Sequence, residues 1–215
     1  MKIAAALALA AMFASTGSND IDLTATSINV AGSGTPVKVH LLRWSTDDER
    51  APLLAALAAA PPPTSARNPD APAPGRGRAG RGRGRSAAAA PLTPIAAFTA
   101  ALARMPTVGY LWTNDITGYS IKYAWHSPLP DGTDRIVLIS DRRLGAYTGA
   151  WKTQSDAPDT DYTFTLIEMH VASNGSLEGR TSLAAKIAVD GSAKTVALEN
   201  YGAAVTSLTN SAPRR

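Results

Sequence analysis

The 215-residue chain has no cysteine. It therefore has no disulfide framework and no metal site built on thiolates. Charged residues are sparse at 18% and aromatics sparser at 6%. Nowhere does an apolar run reach the ~20 residues of a membrane-crossing helix, which speaks against an integral membrane span. What is present is length and apolar content: with 45% apolar residues, the chain can bury one substantial core. The formal charge of +4 is concentrated in one place. Residues 61–92 hold six arginines (Arg67, Arg76, Arg78, Arg81, Arg83, Arg85) against Asp70, a net +5, so the remainder sums to −1.

Met1-Lys2 followed by the apolar stretch Ile3–Ala14 and the small residues Ser15-Thr16-Gly17-Ser18 reads as a secretory signal peptide over residues 1–18. No cysteine follows it, so lipid anchoring is excluded, and the expected location is periplasmic or secreted. Asp22–Val30 and Pro36–Trp44 are both extended in composition, with the turn Ala31-Gly32-Ser33-Gly34 between them, and predict a β-hairpin. Thr46-Asp47-Asp48-Glu49 is a capping box opening a short helix from about Asp47 to Ala59. Thr93-Pro94 opens a second helix, with Ile95, Phe98, Leu102 and Met105 on one face and Pro106 as its stop. Between them, residues 61–91 offer proline, glycine, arginine and alanine but little to bury. Ordering some thirty residues costs on the order of 30–60 kcal/mol of backbone entropy, and this insertion is expected to be disordered.

From Val108 onward the period is that of strands. Tyr119, Ile121, Tyr123 and Trp125 alternate with Ser120, Lys122, Ala124 and His126, and Ile136–Ile139 is apolar throughout, as in a strand covered on both faces. Tyr162–Val171, Ser176–Val189 and Thr195–Tyr201 complete the set, with Leu183, Ala185, Ile187 and Val189 expected on one face. Asn174-Gly175 and Asp190-Gly191 are hairpin-turn dipeptides. The expected fold is α+β: one β-rich domain over residues 20–60 and 93–210, a bent or partly closed antiparallel sheet with two short helices packed on one face or end.

Five segments carry a resemblance: Trp44-Ser-Thr-Asp-Asp-Glu-Arg50, Val108-Gly-Tyr110, Arg135-Ile-Val-Leu138 before Asp141-Arg142, Phe164-Thr-Leu-Ile-Glu-Met169, and Leu198-Glu-Asn-Tyr-Gly202. Together they resemble a family of short exported bacterial proteins without an assigned activity. The resemblance covers about 37–59 and 93–210 and implies export and one β-rich domain. It transfers no catalytic or binding residue. In that family a shorter helical connection joins the two helices, so the arginine-glycine insertion is particular to this chain.

The candidate chemistry is thin. Glu168 and His170 are two apart on a strand and share a face, a spacing that suits an oriented general base or two metal ligands, or simply a solvated strand end. His126 sits beside Trp125 where a strand ends, and His40 lies in no metal-binding spacing. Without a G-x-S-x-G elbow, these residues are weak catalytic candidates. Gly75–Gly80 matches G-x-G-x-x-G, but prolines precede it and no strand does, so no dinucleotide cofactor is expected. Arg76, Arg78, Arg81, Arg83 and Arg85 can pair with a polyanion, or form a solvated loop. Asp156, Asp159 and Asp161 miss the calcium-loop spacing and read as a polar turn. Tyr110, Trp112, Tyr123 and Trp125 are either core or an aromatic platform for a small ligand or an envelope partner. The reading is a non-catalytic binding or structural module of the cell envelope, and the alternative is an envelope hydrolase using a His/Glu pair.

Overall fold

A computed structural model describes residues 20–59, 92–154, 156 and 159–210. The expected leader at 1–18 and the insertion at 61–91, with the arginines expected to pair with a polyanion, lie outside the described residues. Among the described residues, ten strands and two α-helices run in the order β1 (Ile21–Ser27), β2 (Pro36–Leu41), α1 (Asp47–Ala58), α2 (Pro94–Leu102), β3 (Gly109–Trp112), β4 (Tyr119–Pro128), β5 (Asp134–Ser140), β6 (Leu166–Val171), β7 (Leu177–Thr181), β8 (Ile187–Asp190), β9 (Thr195–Leu198) and β10 (Thr206–Asn210).

The α+β class and the antiparallel pairing hold, and the sheet goes further than bent or partly closed. Eight strands form a closed barrel in the order β1-β10-β7-β6-β5-β4-β3-β2. β10, which lies beyond the last strand expected from the sequence, closes it through Thr26↔Thr209 and Ser27↔Leu208. Closure pairs strand edges that an open sheet leaves exposed, with β1 meeting β10 at Thr26 and Ser27 alone.

A second departure concerns Ser176–Val189, which is two strands and not one. β7 ends at Thr181, and β8 leaves the barrel to pair only with β9. Leu183 is buried inside the barrel while Ile187 is buried outside it, so no single strand face could serve both. Likewise β6 begins at Leu166, and Thr160 in the approach to it donates its amide to the Leu183 carbonyl at 2.7 Å.

The barrel wall separates two apolar cores. Inside lie Val37, Val39, Leu41, Leu111, Tyr119, Ile121, Ile136, Leu138, Ile167, Met169 and Leu208, with Leu144 and Trp151 from the β5–β6 connection. Eight strands leave an interior just wide enough for side chains to fill. Outside, α1, α2 and the β8–β9 hairpin cover the far faces of β4, β5 and β6. Leu53, Phe98, Leu102, Val196 and Leu198 pack there on Tyr123, Val137, Ile139 and Leu166. Each such residue stabilises by roughly 1.5–3 kcal/mol when fully buried. This two-sided covering is why β5 is apolar from Ile136 to Ile139.

Both helices start as the sequence predicts. The Thr46 hydroxyl accepts from the Glu49 amide, and Glu49 accepts from the Thr46 amide at 2.9 Å. Arg43 grips the same carboxylate with two nitrogens at 2.7 and 2.8 Å, and holds Glu49 down to about 2. Thr93 caps α2 by accepting from Ala96, with Pro94 in the first helical turn. No helix among the described residues is long and apolar enough to cross a membrane. Away from the helices, the wall is apolar within and carries Asp22, Lys38, His40, Glu178 and Arg180 without.

Candidate functional site

On one half of the wall, none of the described residues covers the outer face. In β1 and β2 the apolar residues Leu23, Ala25, Val37 and Val39 turn inward, so alternation sends Asp22, Thr24, Lys38 and His40 outward. Leu111 of β3 faces inward in the same way and sends Tyr110 and Trp112 out. Register aligns these residues in two rungs: Asp22–His40–Tyr110 and Thr24–Lys38–Trp112. Tyr110 is 41% and Trp112 43% exposed, and their ring centres lie 5.9 Å apart at 36°.

A groove of about 460 Å³ runs over this face, lined by Asp22, Thr24, Lys38, His40 and Trp112. His40 Nδ1 lies 2.8 Å from an Asp22 carboxylate oxygen, which orients the imidazole and leaves Nε2 as its free nitrogen. The indole of Trp112 lies over the backbone of Gly118. A methyl group on that glycine would come within 2.8 Å of the indole nitrogen. The arrangement can stack on one ligand face and hydrogen-bond to its rim.

Tyr123 and Trp125 do not join this surface. A β-bulge between Ile121 and Tyr123 inserts Lys122 as an extra residue. Tyr119 and Ile121 therefore face the interior, whereas Tyr123 and Trp125 face outward beneath the helices. Tyr123 is fully buried, and its hydroxyl bonds to Thr195 at 2.6 Å. Burial raises its pKa. Trp125 lies under the guanidinium of Arg50, 3.5 Å from its ring centre. In this arrangement neither ring shares the face of Tyr110 and Trp112, because the bulge reverses the alternation that the sequence suggests.

The acid–base candidates also divide. Glu168 and His170 share the outer face of β6, with His170 Nε2 3.5 Å from Glu168. Glu168 is only 2% exposed. One of its oxygens accepts from the Leu198 amide at 2.8 Å, and the other lies 3.8 Å from Arg135. Arg135 pairs more closely with Asp190 at 2.9 Å. The Ser192 hydroxyl, the Ala193 amide and Arg135 hold Asp190 down to about 2 against its partial burial. His170 stacks on Tyr201 at 3.8 Å, and Arg180 lies 4.5 Å from the same ring.

This cluster pins the β8–β9 hairpin and the chain after it to the barrel. His126 is not part of it: it pairs with the inward-facing Ile136 and lies against Trp44, ring centres 4.5 Å apart and tilted by 37°, on the opposite side of the wall. Among the described residues no group of three or more His, Asp or Glu is arranged to hold a metal ion.

Sequence reasoning missed Asp22, Thr24, Lys38 and His40 as companions of Tyr110 and Trp112. The signal was present: the predicted hairpin, once its apolar residues are turned inward, places these four on the other face. Arg135 and Asp190 were missed because their meeting depends on where β8 goes after leaving the barrel.

The segments that carry the family resemblance hold elements together. Ser45 accepts from the Ala124 amide at 3.0 Å, Arg50 clamps Trp125, Glu168 bonds to β9, and Tyr201 stacks on His170. No protein family, curated protein or solved structure matches the chain. Its function rests on its own residues.

Proposed function

We propose that this protein is a non-catalytic binding module of the cell envelope, exported by its leader and meeting its ligand on the outward face of β1–β3. The observation that carries this reading is the exposure of Tyr110 and Trp112 side by side, on the half of the wall that no described helix or hairpin covers. Large aromatic rings are costly to leave in water and are favoured where a surface is covered in use. The side chains packed inside the barrel add support, because they occupy the space that a lumenal ligand would take. Export rests on the charged start and the apolar run of the first eighteen residues.

The hydrolase alternative draws on the approach of Glu168 to His170. It is the weaker reading, because a general base needs a lone pair facing substrate, and Glu168 is buried and committed to the Leu198 amide.

The test uses the full chain expressed in its native cells. Fractionation and N-terminal sequencing are expected to find a processed form outside the cytoplasm. Co-sedimentation of the purified mature protein with the envelope fraction is expected to fall at least tenfold in a Tyr110→Ala/Trp112→Ala variant whose melting temperature is unchanged. Equal retention of both proteins overturns the reading. An envelope-hydrolysing turnover lost on His170→Ala, with folding intact, favours the alternative.

A further inference from the structure

We infer that the ligand of the β1–β3 face is a neutral glycan, with successive pyranose rings stacked on Tyr110 and Trp112. This rests on the reading of that face as a binding surface and names what it takes. Three features of the face select the ligand chemistry.

The first is the pairing of rings along one strand. Tyr110 and Trp112 are neighbours on the outer face of β3, with centres 5.9 Å apart. That spacing is close to the advance of one sugar unit in an extended chain. An aromatic face is electron-rich and attracts the positively polarised axial C–H groups of a pyranose. Two such faces side by side, inclined at 36°, suit an oligomer better than a single small molecule.

The second is the polar row beside each ring. A sugar stacked on Tyr110 meets the His40 imidazole and the Asp22 carboxylate across the rung, and one stacked on Trp112 meets Lys38 and Thr24. This set contains donors and acceptors of both signs, and its formal charge cancels between Lys38 and Asp22. Such a surface satisfies hydroxyls, which both donate and accept. An anionic lipid surface would call for a cluster of positive charge, which this face lacks. The groove follows the Trp112 rung to Asp22 and His40, and Tyr110 stands beyond its lining.

The third is the pairing of the strands that carry the rings and Lys38 and His40. An extended peptide binds by adding a strand to an unpaired edge, and β2 and β3 are each paired on both sides, whereas β1 meets β10 only at Thr26 and Ser27. An amphipathic helix needs a continuous apolar groove, whereas two isolated rings flanked by Asp22, Lys38 and His40 do not form one.

Gly118 is a positioning residue in this scheme. The indole of Trp112 rests on its backbone, and a side chain at 118 would push the ring away. Since Gly118 has no left-handed φ, alanine is conformationally acceptable there and acts only through the indole.

The experiment titrates the mature protein with cellohexaose and with chitohexaose, following tryptophan fluorescence and calorimetry, with phosphatidylglycerol vesicles as a parallel probe. Saturable binding of at least one oligosaccharide is expected, with little dependence on salt. Trp112→Ala is expected to weaken it at least tenfold, Tyr110→Ala threefold or more, and Gly118→Ala threefold or more at an unchanged melting temperature. Absence of saturation with both oligosaccharides overturns the glycan assignment, as does binding that these three variants leave unaltered. If envelope retention still depends on Tyr110 and Trp112 while the oligosaccharides fail, only the glycan assignment falls. It also falls, alone, if vesicles bind through those rings. If neither retention nor any probe depends on the rings, the binding-face reading falls with it.

Discussion

Arg50 is charged and only 4% exposed, and its surroundings explain how the fold tolerates it. Its guanidinium donates to the Lys194 carbonyl and to Asp47 and lies flat on Trp125, so one side chain ties α1 to the β8–β9 hairpin and to the wall. Replacing it with alanine leaves Asp47 in water, since that carboxylate is exposed, but strands the Lys194 carbonyl and uncovers the indole. Arg50→Ala is expected to lower stability by about 2 kcal/mol in urea unfolding. Glu168 follows a different logic. Its closest bond is to the Leu198 amide, and its approach to Arg135 is long. Glu168→Ala should therefore cost about 2–4 kcal/mol by orphaning a buried amide. Glu168→Gln, which keeps an acceptor for that amide, should cost less than half as much. Equal losses in the two variants would mean that the charge matters and the bond does not.

Among the elements, β3 is short, four residues long, and depends on close approach at its first position. Gly109 lies opposite Leu41, and a Cβ there would come within 2.5 Å of the His40 carbonyl oxygen. Gly109→Ala is expected to cost about 2–3 kcal/mol, and to disturb the register that aligns Tyr110 with His40. Chemical shifts of His40, followed by NMR, would report that disturbance directly. In β4, the bulge at Lys122 explains why four regularly alternating aromatic and aliphatic residues divide between two cores. Alternation was legible in the sequence, but a one-residue insertion in the pairing was not, because it is set by the neighbouring strand. The capping box of α1, the Thr93 cap of α2 and the hairpin turns were legible, since each is satisfied within a few residues of itself.

At the scale of the molecule, a closed wall carries a covered half and a bare half, and acid should act first on the ties between wall and cover. Asp190 and Glu49 both ionise well below their ordinary values, at about 2, through the Ser192 hydroxyl in the one case and Arg43 in the other. Carboxylates depressed in the folded state add stability that is complete above their unfolded values and is lost as pH falls through the folded ones. The melting temperature is therefore expected to be flat from pH 7 to about 5 and to drop from there to about pH 2. An Asp190→Asn/Glu49→Gln variant should show a shallower drop over the same interval. A slope unchanged from the parent protein would contradict this assignment.

By itself the sequence determined the α+β class, both helix starts, the first hairpin and the apolar strand β5, because propensity, capping and alternation act between near neighbours. It also placed Glu168 and His170 on one face, two residues apart on a strand. Only the tertiary structure decided that the sheet closes, that Tyr123 turns away from Tyr110, and that β8 and β9 leave the barrel to lie over Glu168. Those outcomes rest on pairings between distant segments, such as Thr26 with Thr209. Which surface is buried depends on what packs against it, and so the bare face of β1–β3 is a property of the assembled barrel.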